Sequence, residues 1–182
     1  MSFSRIFVAL DESQLSDTVF RHAMELADTS QSQLMLFHCM DPEIAGEPII
    51  PVPIEVGLYP DLVESAHKNQ QDWLQKQTEH IRLWLQKMSE EASKRGISTE
   101  LDFKIDEAGP GICRAAKAWN ADAIVVGRRG RRGLAEVLLG SVSNYVVHNA
   151  HCSVLVIQTG ESSDRSETAS QANQEETATP SQ

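Results

Sequence analysis

Four arginines occupy five consecutive positions of an otherwise acidic chain: Arg128, Arg129, Arg131 and Arg132, with Gly130 among them and Gly127 and Gly133 on either side. Further on, Gly140-Ser141-Val142-Ser143 opens a segment of helical character. Gathering like charges is unfavourable unless an anion or an acidic partner neutralises them. Glycines allow a close backbone approach that a Cβ would block, and amides at a helix start point outward with partial positive charge. Ser141 and Ser143 add hydroxyl donors. These residue types suit a polyphosphate better than a solvated basic turn, in which Gly140 would be only a turn and Ser141 only an N-cap.

The spacing excludes the two best-known phosphate loops. The chain has no GxxxxGK[ST], so the phosphate-gripping lysine is missing, and Gly127-x-x-Gly130-x-x-Gly133 is not the dinucleotide GxGxxG. A second chemical element is Asp11, directly after the apolar run 6–10. In open α/β sheets ligands sit beyond the strand C-termini where strand order reverses, so Asp11 and Gly127 share a crevice if their strands are neighbours. There the Asp11 carboxylate either accepts hydrogen bonds from ribose hydroxyls or caps a turn or helix.

Short apolar or alternating runs at 6–10, 33–39, 99–105, 123–126 and 154–157 read as strands. Helix-length segments lie between them. Residues 16–28 place Val19, Phe20, Ala23, Met24 and Ala27 on one stripe. Residues 61–95 keep a similar period, with Asp61 and Glu64 spaced as a capping box, Gly96 as the stop and the polar stretch 67–72 as a candidate break. Residues 112–119 and 141–149 supply two more helices. Repeated strand–helix–strand units predict a doubly wound α/β fold, a parallel sheet covered on both faces. Five of the seven prolines fall in 41–60, which therefore reads as a long loop. Beyond residue 159 the chain is rich in Ser, Thr, Gln and Glu and reads as a disordered acidic tail over 160–182, leaving 1–159 as one domain.

Composition bounds the function. At 182 residues with 41% hydrophobic and 23% charged residues, a single soluble core is expected. No run is apolar enough for a membrane helix and no cationic leader precedes residue 6, so the expected location is cytoplasmic and no membrane partner is expected. The net charge is −10, of which the tail carries −4. Such a body repels duplex phosphate, so nucleic acid is not an expected partner. Cys39, Cys113 and Cys152 form no CxxC pair and suit a reducing compartment as small, partly buried thiols. His148, His151 and Cys152 lack a nearby fourth ligand, which argues against zinc. Helical His22, His67 and His80 read as solvent-facing, His38 as a buried hydrogen-bonded residue, and Trp73, Trp84 and Trp119 as packing residues.

The motif Gly127-x2-Gly130-x9-Gly140-Ser141, with 6–11 and Leu36-Phe37-His38-Cys39-Met40 upstream and 152–157 downstream, resembles the ATP-binding branch of the universal stress protein family over about residues 3–158. The resemblance implies a five-stranded sheet of order 3-2-1-4-5 and a homodimer formed through the last strand. It implies that Ala9, Leu10 and Asp11 line the adenosine end and that Cys39 and Val126 pack the adenine. Gly127, Arg129, Gly130, Gly140, Ser141, Val142 and Ser143 would then hold ribose and phosphates, with ATP bound alone or with Mg²⁺ or Mn²⁺. Arg128 and Arg129 stand where many relatives have Ser and His, and Ser153 where proline is usual.

Between Gly127 and Ser143 the only acid is Glu136 and there is no lysine, although phosphoryl transfer needs a positioned metal and a group that aims the nucleophile. The leading expectation is an ATP-binding regulator, read by an unidentified protein partner, rather than an efficient catalyst. A slow ATPase or nucleotidyl transferase using Asp11, and a nucleotide-free protein-interaction module, are the other two readings.

Overall fold

The structure, a computed structural model, describes residues 3–42, 60–128 and 139–158. Most of the proline-rich stretch, the arginines at 129, 131 and 132, and the acidic tail lie outside the described residues. The elements run β1 (Arg5–Leu10), α1 (Ser16–Ser30), β2 (Gln33–Met40), α2 (Pro60–Lys94), β3 (Thr99–Ile105), α3 (Ala108–Ala118), β4 (Ala123–Gly127), α4 (Ser141–Asn149) and β5 (Ser153–Ile157). All neighbouring strands are parallel, in the order β3-β2-β1-β4-β5. This is the doubly wound sheet expected from the alternation of strand and helix.

Side chains alternate across a strand, so each strand feeds two cores. Ile6, Val8 and Leu10 face the layer of α1 and α2, where they meet Val19, Met24 and Leu85. Phe7 and Ala9 face the layer of α3 and α4, packing with Phe37, Ile112 and Val146. The aromatic pair Phe7 and Phe37 is tilted at 5.0 Å between centroids, and Trp119 closes that layer under the Arg5 guanidinium, 4.1 Å from its ring centre. Trp119 is the packing residue expected of it.

Beyond shifts of a residue or two at element ends, α2 and α3 differ from the sequence expectation. The helix α2 is unbroken through 67–72, because polar residues interrupt its buried stripe without removing a backbone hydrogen bond. It begins at Pro60, so Asp61 is already helical and not an N-cap; proline's fixed φ and missing N–H suit the first turn. Its stop is as read: Gly96 has φ of +76° and the Ile97 N–H donates to the Ala92 carbonyl at 3.1 Å. The helix α3 starts at Ala108 rather than 112, taking Gly109, Pro110 and Gly111 into its first turn, where orphan N–H groups make proline harmless.

Those two glycines let neighbours approach. A Cβ at Gly109 would lie 2.9 Å from Cβ, Cγ and Cδ1 of Tyr145 on α4, and one at Gly111 would lie 2.9 Å from the Cys39 sulfur. Gly109→Ala is therefore expected to push α3 and α4 apart and to cost about 1–3 kcal/mol, lowering Tm by roughly 3–10 °C in a domain of this size. Adding Tyr145→Ala should recover part of the loss. Thermal and urea denaturation of the two variants check this, and a Gly109→Ala chain as stable as the parent would contradict it.

Candidate functional site

The strands β1 and β4 lie side by side, Ala9 opposite Val126, and the chain leaves them toward opposite faces of the sheet. That divergence opens a crevice at their C-terminal ends. A cavity of about 530 Å³ fills it, within the range of small-molecule sites.

The end of β1 contributes Ala9, Leu10 and Asp11 to the lining, β2 contributes Cys39, and β4 contributes Val126 and Gly127. The start of α4 contributes Gly140, Ser141, Val142 and Ser143. The structure thus brings together every expected site residue that it describes; Arg129 and Gly130 lie outside the described residues. Arg128 does not line the cavity: its N–H donates to the Ile157 carbonyl at 2.7 Å and its guanidinium to Gln158 at 2.7 Å, beside the end of β5.

Asp11 orders the turn from β1 into α1. Its Oδ1 accepts from the Ser13 N–H at 3.1 Å and from the Ser16 hydroxyl at 2.9 Å, and the Asp11 N–H donates to Ser16 Oγ at 3.0 Å. Of the two roles open from sequence, the structure displays the turn cap. Gly127 keeps the crest thin, since a Cβ there would lie 2.9 Å from Leu15 Cδ2 and 3.1 Å from Val19 Cγ2.

At α4 the cap position is Gly140, which has no side chain to satisfy the first amides, and the first turn holds no acid. Ser141 is the first helical residue rather than the N-cap. Ser143 is buried and its hydroxyl donates to the Gly140 carbonyl at 3.0 Å, which fixes the glycine turn. The helix start consequently presents backbone N–H groups of the kind that favour an anion.

Cys39 is half-buried, with its thiol donating to the Asp106 carbonyl at 3.2 Å. Burial, and then the neighbouring Asp106 carboxylate, push its pKa up to about 11. Burial likewise raises Cys113 and Cys152. The Arg114 guanidinium pairs with Asp106 and holds that carboxyl below its usual range. All three cysteines are free, and such thiols behave as small apolar groups rather than nucleophiles.

His38 is buried as expected, its Nδ1 3.0 Å from the Leu10 carbonyl and its ring edge-on to Trp84. His80 is exposed, with Nε2 2.5 Å from Glu12 Oε1. His22 is only half-buried and bonds the Thr18 carbonyl on its own helix. Among the described residues no three His, Cys, Asp or Glu side chains cluster as a metal site.

Sequence reasoning missed one wall. Trp73, Gln77 and Ile81, one helical turn apart on α2, line the cavity, as do Glu12 and Asp41. Trp73 reads as a packing residue because its spacing continues the buried stripe; the signal that separates it is helix length. The 35 residues of α2 span about 52 Å, whereas an eight-residue strand spans about 26 Å, so the N-terminal half must overhang the sheet.

No helix among the described residues is long and apolar enough to cross a membrane. A family model described as "Universal stress protein family" matches residues 2–158. The universal stress protein Sll1388 of Synechocystis sp. is 39% identical over 158 residues, covering 87% of this chain and 99% of that protein. Among solved structures, MJ0577 of Methanocaldococcus jannaschii superposes with a TM-score of 0.69 at 19% identity, covering 89% of this chain and 100% of that one. A universal stress protein in complex with cAMP has a TM-score of 0.56 at 19% identity, covering 88% and 100%. One from Archaeoglobus fulgidus in complex with dAMP has 0.50 at 22%, covering 87% and 100%. Sheet order, motif and sequence agreement along nearly the whole of residues 2–158 lead to one assignment: this chain belongs to the universal stress protein family.

Proposed function

We propose that this chain binds ATP and acts as a nucleotide-dependent stress regulator in the cytoplasm, a homodimer through β5 whose liganded surface a partner protein reads. The observation that carries the reading is the convergence, around one cavity, of the described residues expected to hold adenosine and phosphates. Relatives of the same fold in complex with cAMP and dAMP support an adenine nucleotide as the ligand class. The acid-free start of α4 suits the phosphates, and the apolar pair Cys39 and Val126 suits the base.

Support for binding over turnover comes from the same residues. No lysine lines the cavity among the described residues, and Asp11 is spent on the turn into α1. Mg²⁺ or Mn²⁺, where it accompanies ATP, would take its oxygens from the phosphates and from water and would offset charge on the phosphates. For the dimer, β5 is an edge strand with Ser153 and Leu155 exposed, and an edge of this kind invites pairing with a second copy.

Mass spectrometry of small molecules released from the purified protein should recover an adenine nucleotide. Added ATP at 100 times its Kd should stabilise the fold by about 2.7 kcal/mol, and Gly140→Val should abolish that shift. No shift at millimolar ATP would return the balance to a protein-interaction module, and robust turnover that Asp11→Ala removes would return it to an enzyme.

Cys39 supplies an independent readout. Its raised pKa leaves about 100-fold less thiolate at pH 8 than an ordinary cysteine has, so alkylation there should be slower by about that factor. The folded protein holds the thiol neutral, so this contribution to stability is intact below pH 9 and lost as the pH climbs toward 11. Saturating ATP should slow alkylation of Cys39 further without changing the rate at Cys113. Peptide-resolved labelling measures both, and equal rates with and without ATP would place the base elsewhere.

A further inference from the structure

The polar side chains around the cavity are mostly committed to one another. Asp11 bonds Ser13 and Ser16, Glu12 pairs with His80, His38 meets the Leu10 carbonyl, Ser143 bonds Gly140, and Asp41 also has a partner. Gln77, Trp73 and Ser141 line the same cavity, and their side chains make no hydrogen bond to another described residue. Ser141 stands at the start of α4, where an anion is favoured. Trp73 and Gln77 stand on α2, on the layer that packs the other face of the sheet.

We infer that Trp73 and Gln77 form the base-reading wall of the cavity and that Gln77 selects adenine over guanine; this rests on the nucleotide reading above. The two residues are four apart on one helix, which places them on the same face. Half-buried Trp73 offers a ring on which any base stacks. A carboxamide carries a donor and an acceptor side by side, matching the adenine N6 amino group and N7. Guanine presents two acceptors there, O6 and N7, and leaves the carboxamide oxygen facing another oxygen. The wall is held in place by Ile81, buried one turn further along α2, and by the contact of His80 with Glu12.

The test compares ATP and GTP binding by equilibrium titration for the full chain and for Gln77→Leu, Gln77→Glu and Trp73→Leu, with circular dichroism confirming each fold. The parent chain should prefer ATP by roughly 5- to 100-fold. Gln77→Leu should bring the ratio close to one by weakening ATP. Gln77→Glu should weaken both nucleotides yet leave ATP preferred, because a carboxylate still accepts from the adenine amino group but meets only acceptors, O6 and N7, on guanine. Trp73→Leu should weaken both nucleotides by a similar factor. A residue that only packs would not move the ratio.

Inosine triphosphate tests the same claim without any substitution. It replaces the adenine amino group by oxygen and should bind as weakly as GTP. Retention of the parent ratio in Gln77→Leu, or inosine triphosphate binding as tightly as ATP, overturns the inference while leaving the nucleotide reading intact. A parent chain that binds no nucleotide at millimolar concentration overturns both.

Discussion

The pairing of β1 with a parallel neighbour on each side governs everything at the site. Its alternation is strict: Ile6, Val8 and Leu10 go to one core, Phe7 and Ala9 to the other, all of them buried. A slip of one residue would exchange the two sets and bring each against the wrong helices. Because β2 and β4 flank β1, the connection from β1 turns toward α1 on one face and the chain beyond β4 enters α4 on the other. The ends of β1 and β4 thereby form the floor of a hollow whose walls belong to different layers.

That origin explains the chemistry of the hollow. Its floor is made of small groups, Ala9 and Gly127 among them, so space remains above the sheet. At Gly127 an added Cβ would crowd the Leu15 and Val19 side chains, so the start of α1 lies close to the sheet there. The groups with nucleophilic or basic potential are quiet: the Cys39 thiol is kept protonated by burial and Asp11 orders a turn. What remains active is hydrogen-bond donation from the start of α4 and from a few uncommitted side chains. Among the described residues, such a set offers hydrogen-bond donors of the kind that hold an anion.

Most of this was legible in the sequence because the signals were local. Apolar runs located all five strands, and the helix over 141–149 was read to the residue because Gly140 and the serines punctuate its start. The residues expected at the site come together around one cavity because they sit at strand ends and at a glycine turn, where position along the chain nearly determines position in space. The misreadings were tertiary. Gly109-Pro110-Gly111 looks like a turn, but it can join a helix because a first turn needs no N–H acceptors and because Tyr145 and Cys39 come close at those glycines. The unbroken α2 was hidden for a related reason: a polar interval says which face is wet and says nothing of whether the backbone continues.

The second wall of the cavity follows from that continuity. A helix cut at 67–72 would hold no rigid surface above the sheet, and Trp73 would read as one more packing residue at its new start. As one rod, α2 is fixed along its C-terminal half by Ile81, Leu85, Met88 and Ala92 in the core, and its overhanging half inherits that rigidity. Gln77 and Trp73 sit one and two turns beyond Ile81, close enough to the anchored part to keep their geometry and far enough along to clear the strand ends. The pairing of His80 with Glu12 then ties the same stretch to the turn that Asp11 orders. The α2 wall is therefore tied to the β1–α1 turn that borders the floor of the hollow.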